Sequence, residues 1–266
     1  MNKELTPPDF SSVQQAEEKT SHHDRPAFVF SSEKHLVIFG IGFLGVNLFS
    51  AFIVLFFRLT LGHIPGQLNP GFLATNDFIG LSNGLIYFII IVVMMIPLSS
   101  HLQMIISSFK NKKVWINGLG YTALIIILSG IYNFILQLTG LKISDNANQS
   151  TIVNLVLNSP LDSFIWIVLL GPIVEELTYR LGLFTMIKKK NRVLAYIGVM
   201  LIFGLIHFDF TNENLLNELL NLPSYIIGGA VLCLAYDREG LATSVTAHIF
   251  NNLLSFVMIF LGTLLV

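Results

Sequence analysis

The stretch "GPIVEELTYRLGLF", residues 171–184, is apolar at both ends but carries Glu175, Glu176 and Arg180 within six positions. The rest of the chain is at least as apolar, since 53% of its residues are hydrophobic and 12% are charged, with a mean hydropathy of +0.72. Such a composition is typical of polytopic membrane proteins and not of soluble domains. The sequence therefore predicts an all-α bundle of transmembrane helices, with three ionisable groups inside one of them.

Long apolar segments recur along the 266 residues and predict about seven spans. They cover residues 36–57, 78–99, 114–138, 163–187, 193–208, 222–236 and 241–266. The fifth and sixth are shorter than the roughly 20 residues that a span needs, so we expect them to pack inside the bundle or to end below the membrane surface. We divide the chain into a polar, mobile tail (1–34), three N-terminal spans (35–145) and a core of four spans (146–266).

Lys and Arg residues are distributed unevenly between the two sides of these segments. If the N-terminus is cytoplasmic, 12 of the 15 lie inside, in the tail, the loops 109–113 and 188–192, and Arg238. The other side receives only Arg58 and Lys142. By the positive-inside rule this predicts an integral, multi-pass membrane protein with a cytoplasmic N-terminus. The net charge of -1 offers no basic surface for nucleic acid, so the lipid bilayer is the partner that we expect.

The three ionisable groups of the opening stretch fall on different faces of their helix. Glu176 and Arg180 are four residues apart, with the acid nearer the N-terminus, which favours an ion pair. Glu175 points about 100° away, so the same arginine cannot easily neutralise both carboxylates. Pro172 has no N–H, and it should therefore free a backbone carbonyl and bend the helix beside this cluster.

Two later segments carry polar side chains at helical spacing. Phe203 and His207 are four residues apart in "FGLIH", and His248 and Asn252 are four apart in "HIFNN". A rise of about 1.5 Å per residue places Glu175, His207 and Asn252 roughly 18–22 Å from the cytoplasmic helix ends. A carboxylate, two imidazoles and a carboxamide in one layer suit the hydrolysis of an acyl bond by water. A cluster that only fixes helix packing, and a proton or ion relay, are the alternatives.

In chain order, "EELTYR", "FGLIH" and "HIFNN" fit the patterns E-E-x-x-x-R, F-x-x-x-H and H-x-x-x-N. Over residues 163–256 the chain resembles the CPBP family (CAAX protease and bacteriocin-processing, also called Abi) of intramembrane proteases, which includes the CAAX prenyl endopeptidase. The resemblance implies a catalytic core in the four C-terminal helices. It also implies an endopeptidase of a bacterial plasma membrane that acts on a membrane-associated peptide or protein.

The resemblance assigns a role to each polar residue of the three patterns. Glu175 would be the general base that deprotonates a water molecule. His207 and His248 would orient that water or the scissile carbonyl, and Asn252 would help to hold the developing oxyanion. The pair of Glu176 and Arg180 would fix the geometry of the site.

Two questions stay open at this point. Two histidines and a glutamate could make a catalytic zinc site, but the H-E-x-x-H pattern is missing, so we expect no cofactor and keep zinc at His207 and His248 as the alternative. The chain could also be a membrane immunity or regulatory protein of the same family without catalysis. A transporter is disfavoured because the polar groups are confined to the C-terminal half and no internal repeat is evident.

Overall fold

The computed structural model describes residues 31–61, 76–141 and 143–262, and this part of the chain contains helices and no strand. The prediction of an all-α membrane protein is confirmed. The helices are α1 (Ser32–Leu61), α2 (Asn76–Leu98), α3 (Leu102–Ser108), α4 (Lys112–Leu138), α5 (Ala147–Asn158), the composite α6 (Pro160–Ser163 through Thr185–Lys188), α7 (Arg192–Leu205), α8 (Leu215–Glu239) and α9 (Leu241–Gly262). Nearly all of the tail predicted for residues 1–34 lies outside the described residues.

In the described part of the chain, five helices are long and apolar enough to cross a bilayer. These are Ser32–Ile53, Gly80–Ser108, Lys112–Leu138, Leu215–Glu239 and Leu241–Gly262. The two remaining predicted segments differ: α7 has only 14 residues, and α6 is divided by changes of helical winding. The protein is thus an integral membrane protein, while the count of seven spans stays a prediction.

The sixth segment is longer than the sequence predicted. We expected a short segment at 222–236, but α8 has 25 residues and is long and apolar enough to cross a bilayer, so the predicted bounds were wrong. Its first turn carries the polar residues Asn217 and Glu218, and this polarity led us to assign them to a loop. Both are buried and hydrogen-bonded in the structure, and the loop that follows α7 therefore covers only residues 206–214.

Helix α6 runs through the centre of the bundle and changes its winding twice. Residues Phe164–Leu170 and Glu176–Phe184 form wide π-helical turns, separated by one α-helical turn at Gly171–Glu175. All nine residues of the second π segment are buried. Such wide turns occur often at functional sites, and here they surround the two adjacent glutamates.

Glycines allow other helices to approach α6 closely. A Cβ at Gly182 would lie 2.9 Å from the backbone nitrogen of Phe39, and one at Gly42 would overlap the Thr178 hydroxyl. Helix α1 can therefore cross α6 with almost no side chain between the backbones. Two clusters of buried apolar residues extend from α6, one towards α1, α2 and α9 and the other towards α7 and α8.

Candidate active site

The predicted polar residues meet at one cavity inside the bundle. The cavity has a volume of about 550 Å³, and Glu175, His207, His248 and Asn252 all line it. Glu176 and Arg180 do not line it but lie fully buried behind it. The structure therefore separates the six residues into four that face the cavity and two that support them.

Glu176 accepts contacts from three different side chains. Its Oε1 lies 3.0 Å from Nη1 of Arg180 and 2.9 Å from Nδ1 of His248, and its Oε2 accepts a hydrogen bond from the Ser244 hydroxyl. The ion pair that the spacing predicted is confirmed. Glu176 is therefore held by one ion pair and two hydrogen bonds inside the protein, away from the cavity.

Arg180 is fully buried and connects α6 to two neighbouring helices. Its Nη2 donates to the backbone carbonyl of Gly229 in α8 at 3.2 Å, and its guanidinium carbon lies 4.4 Å from the centre of the Phe203 ring in α7. The face of an aromatic ring attracts a cation, so Phe203 in the F-x-x-x-H pattern does more than fill space. Among the described residues, Nε and Nη1 of Arg180 have no hydrogen-bond partner, so the buried guanidinium is held by its ion pair, by the Gly229 carbonyl and by the Phe203 ring.

Glu175 differs from Glu176 in its exposure, in its position at the cavity and in its hydrogen bonds. Its side chain is 20% exposed and faces the cavity, and no hydrogen-bond partner of its Oε2 occurs among the described residues. The nearest basic atom, Nε2 of His248, is 3.7 Å away, which is too long for a hydrogen bond. One carboxylate of the adjacent pair is therefore engaged by an ion pair and two hydrogen bonds, and the other lines the cavity with one oxygen that has no hydrogen-bond partner among the described residues.

The hydrogen bonds of the two histidines indicate which ring nitrogen carries a proton. Nδ1 of His207 lies 2.7 Å from the carbonyl oxygen of Phe203, and Nδ1 of His248 lies 2.9 Å from the Glu176 carboxylate. Because both partners are acceptors, each Nδ1 must be the donor. In the neutral rings the lone pair is then on Nε2, and in His248 this atom is the one nearest to Glu175.

His207 lies just beyond the end of α7, in a loop that is held firmly. Its ring stacks on Tyr225 of α8, with ring centres 4.7 Å apart, and its backbone carbonyl accepts a hydrogen bond from Asn146. The buried carboxylate of Glu218 accepts the N–H of Asp209 in the same loop at 3.2 Å. The hydroxyl and N–H of Thr211 hold the pKa of the Asp209 carboxyl below its usual range.

Asn252 uses part of its hydrogen-bonding capacity on the protein itself. Its Nδ2 donates to the backbone carbonyl of Ile167 in α6 at 2.9 Å, and its Oδ1 lies 3.4 Å from Nδ2 of Asn251. A carboxamide nitrogen has two N–H groups, so one remains for the cavity. The hydrogen bond to Ile167 could not be predicted from the family patterns, because no pattern includes a residue from the first half of α6.

Ser244 is the supporting residue that sequence reasoning missed. It lies one helical turn before His248 on α9, and both side chains contact the same carboxylate. The spacing of four residues places them on one face, a signal that the sequence does contain. Serine is common in membrane helices as a partner of backbone carbonyls, so this spacing alone did not single it out.

The side chains do not fit a zinc site in their present arrangement. Among the described residues, no group of three or more His, Cys, Asp or Glu side chains could hold a metal ion. Catalytic zinc needs three protein ligands and a position for water. Glu176 is engaged by Arg180, His248 and Ser244, so Glu175 and the two Nε2 atoms remain as candidate ligands, and these do not form such a group.

The cavity and its polar residues lie within a part of the chain that matches a known family. Residues 157–254 match the family model described as type II CAAX prenyl endopeptidase Rce1-like. The resemblance to CAAX proteases is confirmed. The Rce1-like region begins near the end of α5, continues into α9 and contains all six site residues. Searches of the curated proteins and of the solved structures gave no match.

Proposed function

We propose that this protein is an intramembrane endopeptidase in which Glu175 activates water for attack on a peptide bond. The main support is the contrast between the adjacent glutamates: Glu176 is buried and engaged by Arg180, His248 and Ser244, whereas Glu175 lines the cavity and its Oε2 has no hydrogen-bond partner among the described residues. The Rce1-like region is consistent with a protease of the CAAX type. The comparisons give no support to a transporter or to a non-catalytic immunity protein.

The proposed reaction begins with a water molecule between Glu175 and the substrate. The Glu175 carboxylate takes a proton from the water, and the water oxygen bonds to the carbonyl carbon of the scissile peptide. His207 assists, because its Nε2 lone pair can accept the second O–H of the same water. Both groups must be oriented before substrate arrives, and the stacking of His207 on Tyr225 provides this for the ring.

The attack converts the carbonyl oxygen into an oxyanion, which needs donors in a site of low dielectric constant. The second N–H of Asn252 is available for this, because the first is fixed on Ile167. One such donor typically contributes a factor of about 10²–10³ in kcat. The tetrahedral intermediate then expels the amine, the C–N bond breaks, and the proton held by Glu175 passes to the leaving nitrogen.

His248 connects the two glutamates in this scheme. Its Nδ1–H is held by Glu176, and its Nε2 lies 3.7 Å from Oε2 of Glu175. The ion pair with Arg180 fixes the Glu176 carboxylate, and this carboxylate in turn fixes the His248 ring with Nε2 towards Glu175. We therefore assign His248 to proton transfer and to the orientation of Glu175.

The lining of the cavity indicates the kind of substrate. Apart from the glutamate and the two histidines, the lining side chains are uncharged, and many are aromatic or aliphatic. A cavity of this kind suits an extended, apolar peptide segment of a membrane-associated substrate. Charged side chains next to the scissile bond would lose their hydration without gaining a partner.

Comparative peptide profiling tests this proposal in cells. Membrane-bound and released peptides are compared between cells with the wild-type protein, the Glu175→Gln variant and the Glu239→Gln variant. Glu239 is a suitable control because it lies at the exposed end of α8, where it contacts Asn117. We expect cleaved peptides with the wild type and with Glu239→Gln but not with Glu175→Gln. Identical peptides in all three would contradict the proposal.

A further inference from the structure

The winding of α6 before Pro172 determines which backbone carbonyl the proline leaves without a donor. Residues Phe164–Leu170 wind as a π-helix, in which each N–H bonds to the carbonyl five residues earlier. The N–H of Gly171 follows this register and donates to the carbonyl of Trp166. The next position is Pro172, whose nitrogen has no hydrogen. The carbonyl of Ile167, five residues before Pro172, therefore has no donor in this register.

A side chain from another helix occupies this carbonyl. Nδ2 of Asn252 in α9 donates to the Ile167 oxygen at 2.9 Å. A carbonyl buried without a donor costs about 1–3 kcal/mol, so the contact favours one orientation of the Asn252 carboxamide. The structure thus identifies both the carbonyl that Pro172 frees and the residue that uses it.

Gly171 maintains the register on which this arrangement depends. A Cβ at this position would lie 2.8 Å from the carbonyl oxygen of Trp166, which is closer than real Cβ atoms approach. The glycine therefore permits the wide turn just before Pro172. The pair "GP" at the start of the opening stretch thus sets the winding of α6 at the point where Asn252 makes contact.

We propose that Pro172 is a positioning residue: its missing N–H reserves the Ile167 carbonyl for Asn252, which holds the second N–H of Asn252 toward the cavity. This inference rests on the proposed function, because it assigns the second N–H to the oxyanion. Pro172 itself lines no part of the cavity. Its effect on catalysis passes entirely through the hydrogen bond between Asn252 and Ile167.

The first test measures unfolding and does not require activity. The equilibrium constant for unfolding in mixed micelles is measured for the wild type, Asn252→Ala, Pro172→Ala and the double variant. In the wild type, Asn252→Ala leaves the Ile167 carbonyl unsatisfied and should raise the unfolding constant roughly 5- to 150-fold. In the Pro172→Ala background the new N–H satisfies that carbonyl, so the same change should have an effect of less than about threefold. Equal effects in the two backgrounds would overturn the inference.

The second test separates the missing N–H from the shape of the proline ring. Pro172→Ala is compared with a protein in which lactic acid, the α-hydroxy analogue of alanine, replaces Pro172 and forms an ester without an N–H. We expect Pro172→Ala to lower kcat severalfold or more, up to the loss of about 10²–10³-fold for an oxyanion donor, with little change in KM. The ester protein should retain kcat close to that of the wild type.

A matched control and two contrary outcomes complete the experiment. Pro97→Ala changes a proline inside α2 that does not line the cavity, and it should leave kcat unchanged. Equal losses of kcat in the ester and alanine proteins would show that the ring, and not the missing N–H, matters. An unchanged kcat in Pro172→Ala would also refute the positioning role. If the wild type itself cleaves no peptide, the proposed function fails, while the unfolding measurements still decide the hydrogen-bond exchange.

Discussion

Removal of Arg180 should destabilise this protein far more than removal of an exposed arginine such as Arg192. Glu176 is fully buried, and Arg180 at 3.0 Å is its cationic partner. In Arg180→Met the carboxylate retains only His248 and Ser244, and Arg180 also loses its contacts with Gly229 and Phe203. Breaking a buried ion pair by removing one partner costs about 3–5 kcal/mol.

The free energy of unfolding in mixed micelles of increasing dodecyl sulfate content measures this cost. We expect Arg180→Met to lose about 3–5 kcal/mol, and the double variant Glu176→Gln/Arg180→Met to recover at least half of it, because no unpaired charge remains. Arg192→Met is the control, since Arg192 is exposed and its partner Asp237 keeps Lys188. An Arg180→Met protein as stable as the wild type would refute the reasoning, as would a double variant no more stable than the single one.

Three further predictions concern metal content, helix packing and orientation. Purified active protein should contain well under one zinc per chain and should keep its activity in a strong chelator. One zinc per chain that is lost together with activity would contradict the metal-independent mechanism. Gly182→Ala should lower the free energy of unfolding by about 1–3 kcal/mol, because its Cβ would meet the Phe39 backbone. Gly130 has open space around it, so Gly130→Ala should not destabilise the protein. Equal effects of the two substitutions would contradict the close crossing of α1 and α6. In intact cells a cysteine at Glu213 should react with an impermeant thiol reagent and one at Lys189 should not, and the reverse pattern would overturn the predicted orientation.

The sequence predicts a helix well where a segment is uniformly apolar. Long apolar runs predicted α1, α2, α4 and α9, because a helix is the structure in which an apolar segment satisfies its own backbone in a bilayer. The same rule failed at the start of α8, where Asn217 and Glu218 satisfy neighbouring backbone groups and are buried despite their polarity. Burial of polar groups depends on their partners, which are distant in sequence.

The winding of α6 lies beyond what hydrophobic periodicity can show. An apolar run such as Phe164–Leu170 has no polar face that would distinguish π from α winding. Pro172 was the informative signal, because it predicted a freed carbonyl. The sequence could not say which carbonyl is freed. That depends on whether each N–H in the preceding turn bonds to the carbonyl four or five residues earlier.

Contacts of the site residues within one helix could be predicted from the sequence, whereas contacts between helices could not. The ion pair of Glu176 and Arg180 follows from helical spacing alone and is confirmed. The contact of His248 with Glu176, and of Asn252 with Ile167, joins α9 to α6 and requires the tertiary structure. The family patterns grouped the correct helices, but the distinction between the buried, paired Glu176 and the cavity-lining Glu175 depends on tertiary contacts.

The measurement that tests the central claim most directly is kcat for one peptide, first identified by profiling, with purified wild type, Glu175→Gln and Glu239→Gln. The amide of Glu175→Gln keeps the shape of the side chain but cannot take a proton from water. We predict that kcat falls about 10²–10⁴-fold in Glu175→Gln, with an unchanged free energy of unfolding, and that Glu239→Gln behaves as the wild type. A Glu175→Gln protein that retains more than about a tenth of the wild-type kcat would show that Glu175 is not the base.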